Sequence, residues 1–405
     1  MKKLTLIFVL STYVVFAQDW GIKFGGFLKT DIIYNSRKNV EIRDGELFFF
    51  PDNEKLDKDG NDLNAVPNFN ILSFQSRLAG NITAPDFLGA KVSGLLETEF
   101  FGTSNADING LRLRHAVINA DWDGFKLMVG QYWNPLFFEE SYPKVIQYNT
   151  GAPFIPFTRN PQVRFVFKPV DNLELNLAAL SQRDFTSDGP AGASTEYLKN
   201  AVIPMLNFGI RYKSDIIFLG ANAQYKSIKP KSVSDQGYQI DNKVSGITTN
   251  FSLKLSPSKE FFASVIATYA QNSTDLYMQG GYYAYLTDAT KGILDYKPSN
   301  TLSVAFDTQY GGDFAVGLFA GYSMNNGSSD DIPATSIFYG RALNIDNLLR
   351  ISPRLIYKMG KLQFAGEVDY TQAAYGTPNP TNKFKVENTK NISNIRVNLA
   401  AYLYF

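Results

Sequence analysis

The stretch 392–405 reads ISNIRVNLAAYLYF and alternates between apolar and mostly polar side chains. From position 395 onward every odd-numbered residue is apolar, whereas Asn394, Arg396 and Asn398 occupy even positions. A period of two is that of a β-strand with one apolar face and one polar face. The stretch therefore predicts a strand with an apolar environment on one face and an aqueous environment on the other.

The same alternation recurs along the chain, and we find no comparable helical period in residues 18–405. Apolar residues take alternate positions in the segments 22–32, 72–78, 173–179, 349–357 and 362–368. Residues that favour turns form short connections at 121–124, 170–172, 213–215, 256–259, 311–313 and 359–360. Long polar or irregular connections are expected at 36–68, 102–110, 134–161, 184–202, 229–245, 272–298, 325–347 and 372–391.

These connections divide the chain into about 16 strands, the layout of a transmembrane barrel with short periplasmic turns and long external loops. The predicted fold class is therefore all-β, a transmembrane antiparallel β-barrel. Such a sheet must close, because each unpaired amide in hydrocarbon costs several kcal/mol. A barrel of this size is too wide to be filled by its own side chains, so we expect a water-filled lumen.

Composition excludes several classes of function. The chain has 405 residues, no Cys and a single His, His115. Thiolate metal sites, Cys nucleophiles and multi-His metal sites are therefore absent. With 39 Lys and Arg against 38 Asp and Glu, the chain also lacks the basic excess of a general nucleic-acid binder.

Residues 1–17 are expected to be a secretory signal peptide. Lys2 and Lys3 form a positive start, an apolar run follows at 4–16, and Ala17 fits a cleavage site. Residues 18–405 would then form one barrel domain. Together these features predict a protein of the bacterial outer membrane, in contact with outer-membrane lipid.

Three short motifs resemble the DcaP-type porins, which belong to a group that includes phosphate-selective porins. They are RLRHA at 112–116, VGQYW at 129–133 and RNPQVR at 159–164. The resemblance implies a homotrimeric porin of 16 strands that passes small, often anionic, solutes. It implies passive diffusion through a channel, with neither an enzymatic reaction nor a cofactor.

The strand face opposite the apolar residues holds about 17 basic and 7 acidic side chains, although the whole chain is nearly neutral. A positive wall concentrates anions, so we expect the lumen to favour small anionic solutes. Arg112, Arg114 and Arg164 are candidates for a track of basic residues along the lumen because they lie in residues 112–164, which carry the resemblance and which we call the family-like segment. Arg354 and Arg396 are further candidates, chosen only because they are basic residues on the same strand face. The alternative is that these charges pair across neighbouring strands.

The third long connection, 134–161, is unusually apolar for an external loop. In general porins the third loop folds into the barrel, so the resemblance implies a constriction here. Glu139, Glu140, Lys144 and Arg159 would then face the pore. The alternative is a loop that packs over the barrel mouth or against a neighbouring subunit.

An acidic run in the first long connection resembles part of a calcium loop, with Asp57, Asp59, Asn61 and Asp62 as ligands. It lacks the Glu that an EF-hand carries later in its loop. Short runs of Asp, Asn and Gly are also common in exposed loops. The main expectation is therefore that the protein has no cofactor, and calcium binding is a secondary hypothesis.

Other functions stay open at this point. His115 shares the apolar strand face, which argues against a catalytic position in the lumen. An outer-membrane hydrolase would need a nucleophile and an orienting partner beside that His. A structural or adhesive barrel acting through its external loops, and an exported soluble β-sandwich, are further alternatives. Ion conductance separates these from a porin.

Overall fold

The computed structural model describes residues 20–405, so the expected signal peptide, 1–17, lies outside the described residues. Its helices are short: α1 (Glu196–Ala201) and 3-10 turns at Asn105–Asp107, Thr274–Leu276 and Pro380–Asn382. Within this part of the chain no helix is long and apolar enough to cross a membrane. The strands are β1 (Gly21–Asn35), β2 (Asn39–Ile42), β3 (Leu47–Pro51), β4 (Asn68–Leu72), β5 (Arg77–Phe87), β6 (Ala90–Phe100), β7 (Leu111–Trp122), β8 (Phe125–Trp133), β9 (Arg159–Val170), β10 (Leu173–Leu180), β11 (Met205–Lys213), β12 (Ile217–Ile228), β13 (Val244–Ser258), β14 (Phe261–Gln271), β15 (Gly280–Asp288), β16 (Ile293–Gly311), β17 (Phe314–Ser328), β18 (Ile337–Arg341), β19 (Ile345–Met359), β20 (Leu362–Asn379) and β21 (Lys385–Tyr404).

The strands form a closed antiparallel barrel of 16 strands, as the sequence predicts. β4 and β5 both pair with β1 and count as two halves of one barrel strand. β1 also pairs with β21, from Phe27 opposite Tyr404 to Asn35 opposite Arg396, and this pairing closes the ring. β2 and β3 form a separate hairpin, while β15 and β18 extend the sheet beyond the barrel wall.

Eight long and seven short connections alternate around the barrel. The short turn that sequence analysis did not place is Leu88-Gly89, where both residues have positive φ, 49° and 79°. A two-residue turn of this kind matches the twist of the flanking strands. The seven short turns define one end of the barrel and the long loops define the other.

Three predicted loops are shorter than expected because strands continue through them. β20 and β21 occupy most of 372–391 and leave only 380–384 as a connection. β16 begins inside the predicted loop 272–298, and β17 and β19 extend into 325–347. Away from the apolar membrane a strand need not keep an apolar face, so period two does not detect these extensions.

Burial is reversed relative to a soluble protein. In β21 the side chains of Ile395 and Leu399 are about half exposed, whereas Arg396 and Asn398 are completely buried. Large apolar side chains cover the outside of the other barrel strands in the same way. This pattern is that of a sheet with lipid outside and polar groups inside.

Candidate pore and the segments inside it

The basic residues expected in the lumen all lie on the inward face of barrel strands. Their positions follow from the same two-residue period that directs the apolar side chains outward. None of these side chains reaches the outer surface of the barrel. Each is at most 8% exposed: Arg112, Arg114, Arg164, Arg354 and Arg396.

Arg112 and Arg114 belong to an ion-pair network on β5, β6 and β7. Glu99 lies opposite Arg112 in the strand register, and its Oε1 is 2.5 Å from Arg112 Nη2. Arg114 Nη1 lies 2.7 Å from the same oxygen, and its Nε lies 2.6 Å from Glu97 Oε1. Arg77 Nη2 completes the network at 3.2 Å from Glu99 Oε2. Three guanidiniums thus share two carboxylates, which holds their side chains in place and leaves one net positive charge.

The other three predicted basic residues differ in their partners. Arg354 forms a two-point ion pair with Asp307, with N–O distances of 2.6 and 3.2 Å. Arg164 donates to the backbone carbonyl of Trp133 at 2.5 Å. Arg396 donates at 2.6 Å to a backbone carbonyl of the first long loop. Pairing across neighbouring strands, the alternative considered from sequence, therefore describes Arg112 and Arg114 but not Arg164 or Arg396, while Arg354 pairs with Asp307 across the intervening strand β17.

His115 faces the lumen, and the prediction that it lies on the apolar outer face is wrong. The pairing of β6 with β7 shifts by one residue beside Glu97, which forms a β-bulge. Because of this bulge the consecutive side chains of Arg114 and His115 both point inward. His115 Nε2 lies 3.7 Å from Glu97 Oε1, and its ring is 4.7 Å from Tyr132 and 5.4 Å from Trp133.

The third long loop, residues 134–158, crosses the lumen. At its start the side-chain amide of Asn222 on β12 donates to Pro135 O at 2.9 Å. Further along, Lys29 Nζ on β1 donates to Ile146 O at 3.0 Å. β1 and β12 are eight strands apart in a ring of 16, so these contacts lie on opposite sides of the barrel.

Carboxylates of the barrel wall bind the backbone of the third loop. Lys144 N donates to Asp307 Oδ2 at 2.9 Å, and Ile146 N donates to Glu367 Oε2 at 2.9 Å. Gln147 N donates to the second oxygen of Glu367 at 3.3 Å. Hydrogen bonds to charged groups are stronger than neutral ones, so these wall carboxylates hold the loop inside the barrel.

Two of the residues expected at a constriction lie in the third loop beside aromatic rings. Tyr132 Oη donates to Glu139 Oε1 at 2.7 Å, and burial raises the pKa of Glu139 above its usual range. Lys144 Nζ lies 3.3 Å from the centre of the Tyr142 ring. Both charged side chains border the same cavity, described below.

The remaining two expected constriction residues have different positions. Glu140 Oε1 is 3.4 Å from Arg211 Nη1 on β11. Arg159 is not in the loop, because its backbone pairs with Trp133 as the first residue of β9. Its fully buried guanidinium lies over the rings of Trp133 and Phe185, at 5.0 and 5.1 Å. Among residues 20–405 none of its three guanidinium nitrogens has a hydrogen-bond partner.

A second segment also enters the lumen. β2 and β3 form a hairpin, residues 39–51, which we name the first-loop hairpin. All five residues of β3 are buried, and Phe48 exchanges hydrogen bonds with the side chain of Asn149 in the third loop. The sequence predicts one long polar or irregular loop at 36–68, although the apolar run LFFFP at 47–51 indicates burial.

A cavity of about 700 Å³ lies on the short-turn side of the third loop. Tyr402 and Tyr404, near the end of β21, form part of its wall. Its charged lining residues comprise four cations and two anions: Arg77, Arg114, Lys144 and Lys358, with Glu97 and Glu139. The lining of the cavity is therefore mostly polar, aromatic in part and positive in net charge.

The acidic run proposed for calcium forms a turn. Asp57 Oδ1 accepts the backbone N–H groups of Asp59 and Asn61, each at 2.8 Å, and these bonds lower the pKa of Asp57. Asp62 Oδ2 lies 3.1 Å from Arg37 Nη2. Across residues 20–405 no group of three or more acidic or His side chains is placed to hold a metal ion. Calcium stays a prediction from the sequence alone.

No protein-family model matches the sequence, and no curated protein matches it either. Solved structures do match. The outer membrane channel DcaP of Acinetobacter baumannii is 18% identical with a TM-score of 0.70, over 95% of this chain and 97% of that chain. An anion-selective porin from Comamonas acidovorans is 10% identical with a TM-score of 0.58, over 96% and 100%.

OmpT of Vibrio cholerae, in its trimer form, is 12% identical with a TM-score of 0.52, over 96% of this chain and 100% of that chain. At such identities a structural match establishes the fold. The match extends over almost the whole barrel rather than the family-like segment alone. The chain therefore has the fold of the bacterial outer-membrane porins, and the similarity to DcaP first noted at 112–164 is confirmed at that level.

Proposed function

We propose that this protein is a porin through which small hydrophilic solutes diffuse across the outer membrane. The observation that carries the proposal is a closed barrel with apolar residues outside and a polar lumen, which contains a cavity of about 700 Å³ with a mostly polar lining. Such a barrel gives water-soluble molecules an aqueous path across the membrane, which the lipid bilayer itself does not provide. The solute's own gradient is the driving force, so neither a reaction nor a cofactor is part of the proposal.

We propose further that the pore favours anions. Of the four cations around the cavity, Arg77 and Arg114 already neutralise Glu97 and Glu99. Lys144 and Lys358 form no ion pair within the described residues. Unpaired cations in a water-filled passage with low-dielectric walls raise the local concentration of anions, most strongly at low salt.

A homotrimer embedded in lipid is the proposed assembly. One of the matching structures is a trimer form, and this is a property of that protein. On the outside of this barrel, an apolar groove of about 520 Å³ crosses β1, β17, β19, β20 and β21, where large side chains such as Phe314 and Leu355 surround smaller ones such as Gly366 and Ala401. A concave apolar surface fits the outer face of another subunit or a lipid chain.

Planar-bilayer recording of the purified protein in a KCl gradient tests the function and its selectivity. We expect stepwise conductance, with openings in groups of three and a reversal potential on the anion side. Cation selectivity would refute the anion preference but would still support the porin function. A correctly folded barrel that never conducts would refute the porin and favour a structural or adhesive barrel that acts through its loops.

A matched pair of variants locates the selectivity. Replacing Lys144 and Lys358 by Gln removes two cations from the cavity, so the reversal potential should move towards the cation side. The control replaces Lys259 and Lys361, which lie in exposed short turns, and removes the same charge from outside the lumen. Equal shifts in both variants would show that the selectivity does not arise at the cavity.

A further inference from the structure

The first-loop hairpin lies across the long-loop half of the lumen and binds cations of the wall. Arg350 Nη2 on β19 donates to Phe49 O at 2.8 Å, and Arg396 Nη1 on β21 donates to Gly45 O at 2.6 Å. The two guanidiniums lie 4.0 and 4.5 Å from the centre of the Phe48 ring. The hairpin thus presents acceptor oxygens and an aromatic face to two buried arginines.

Neither of these arginines forms an ion pair with a carboxylate of the described residues, a property that they share with Arg159 and Arg164. Arg350 uses its other donors on Thr371 Oγ1 and Ala152 O, which are neutral acceptors. Arg396 keeps Nε and Nη2 without a hydrogen-bond partner, although its side chain is completely buried. A buried guanidinium with unused donors is costly unless a polar or anionic group reaches it.

The hairpin itself is acidic. Residues 39–51 contain three carboxylates and one Arg, a net charge of −2. One of these carboxylates, Glu46, has its Oε1 3.7 Å from Lys29 Nζ on β1, which also forms an ion pair with Asp31 at 3.0 Å. An acidic segment with carbonyl oxygens against Lys29, Arg350 and Arg396 has the chemistry of a small anion bound to the wall.

The hairpin also narrows the space around it. Beside it, on the long-loop side of the third loop, the void lined by Arg43, Arg112 and Tyr148 offers a water-sized sphere essentially no volume. The cavity on the short-turn side is about 700 Å³. An anion that enters from the long-loop end therefore meets the hairpin before it reaches the open cavity.

We propose that the first-loop hairpin is a built-in plug that occupies an anion site formed by Arg350, Arg396 and Lys29. An anionic solute replaces the plug at these cations as it passes. The inference rests on the proposed porin function and adds a site and a gate to it. Its hydrogen-bond and ion-pair partners on the wall lie on the neighbouring strands β19, β20, β21 and β1, while its other contacts are with loop segments, such as Arg43 N with Asn105 Oδ1 and Phe49 with Tyr277.

The chain supplies a closely matched control. Residues 53–66, the remainder of the same loop, are mostly exposed and also carry a net charge of −2. One variant replaces 39–51 by a short Gly-Ser linker, and the control replaces 53–66 in the same way. Both lose the same charge and nearly the same length, but only the first removes the plug.

Single-channel conductance and reversal potential in a KCl gradient compare the two variants with the parent protein. We expect removal of 39–51 to raise conductance about twofold or more and to shift the reversal potential towards anions. The control should match the parent. Adding Arg350→Gln and Arg396→Gln to the plug-free variant should reverse the shift while the higher conductance remains.

A parent that conducts like both variants would overturn the plug and leave the porin intact. Absence of conductance from all three folded proteins would overturn the porin, and the plug with it. The two failures are therefore distinguishable.

A labelling experiment needs no deletion. The chain has no Cys, so Leu47→Cys introduces the only thiol, at a buried position of β3. We expect a membrane-impermeant maleimide to react slowly in the native state and the labelled protein to show the conductance of the plug-free variant. A thiol that reacts as fast in the folded as in the denatured protein would overturn the buried position of the plug.

Discussion

The third loop and the first-loop hairpin both bring apolar residues into a polar lumen, yet the barrel holds them differently. The third loop contacts opposite walls, from Asn222 on β12 to Lys29 on β1. The hairpin's contacts with the barrel wall lie on one set of neighbouring strands, chiefly through Arg350 and Arg396, and its remaining contacts are with long loops, including Asn105 and Tyr277. A segment fixed on both sides is suited to a permanent constriction, and a segment fixed on one side is suited to a removable plug.

The chemistry of the contacts differs in the same sense. Wall carboxylates accept backbone N–H groups of the third loop, as Glu367 does from Ile146 and Gln147. Wall guanidiniums donate to carbonyl oxygens of the hairpin, and a solute anion offers the same acceptor. The loop amides have no equivalent substitute among anionic solutes. Arg350 and Lys29 also donate to third-loop carbonyls, but the third loop keeps its amide bonds to wall carboxylates when an anion takes these cations.

The largest expected effect comes from shortening the third loop. Deleting residues 140–155 should raise single-channel conductance several-fold, because the segment that crosses the lumen is removed. Heat-modifiable migration on a gel establishes that the variant is folded before recording. Unchanged conductance would refute the constriction and would place the narrowest point elsewhere, with the hairpin as the first candidate.

A single wall carboxylate tests how firmly the third loop is held. Glu367→Gln removes the charge that accepts two loop amides, and we expect a loss of about 1.5–3 kcal/mol in the free energy of unfolding. The open channel should also become noisier. Glu174→Gln, at an exposed pair with Lys168 near the short turns, is the control and should change stability by less than about 1 kcal/mol. Equal losses would contradict a special role for Glu367.

A smaller effect is expected from one hydroxyl of the third loop. Tyr148 Oη donates to Glu99 Oε1 at 3.0 Å, so Tyr148→Phe should cost about 1 kcal/mol in the free energy of unfolding. Tyr370→Phe, which removes a hydroxyl bonded to Gln372 on the outer face, is the control. If Tyr148→Phe left the free energy of unfolding unchanged, the ion pairs of Glu99 would stabilise this part of the lumen without the hydrogen bond from the third loop.

The smallest effect concerns the exposed remainder of the first loop. Since Asp57 already accepts backbone N–H groups and Asp62 pairs with Arg37, we expect no change in Tm between excess calcium and a chelator. Differential scanning calorimetry of the purified protein measures this directly. A rise in Tm with calcium would establish the calcium site suggested by the sequence and would give the loop next to the plug a ligand of its own.

Much of the barrel follows from local pattern. Period two alone directs Leu399 outward and Arg396 inward, because successive side chains of a strand point to opposite faces. The same rule puts Arg112 and Arg354 in the lumen. It fails at His115, where one extra residue in β7 turns a side chain to the other face. A bulge leaves no mark in the spacing of apolar residues.

The ion-pair partners of the lumen side chains were harder to predict than the strand faces on which these side chains lie. The net count of basic side chains suggested an open positive wall, but Glu99 opposite Arg112 depends on the register of β6 with β7. Asp307 reaches Arg354 across β17, between strands that are not sequence neighbours. Register and strand order arise only when the barrel closes, so charge counting along the chain overestimates the free cations.

By itself the sequence determined the class of fold, the approximate number of strands and the inward or outward direction of most side chains, because lipid outside and water inside impose a period of two. Only the tertiary structure decided which charges pair and which segments enter the lumen. The run LFFFP at 47–51 is apolar in any fold. It became a candidate plug because the closed barrel places Arg350 and Arg396, some 300 residues further along the chain, where its carbonyl oxygens and rings can meet them.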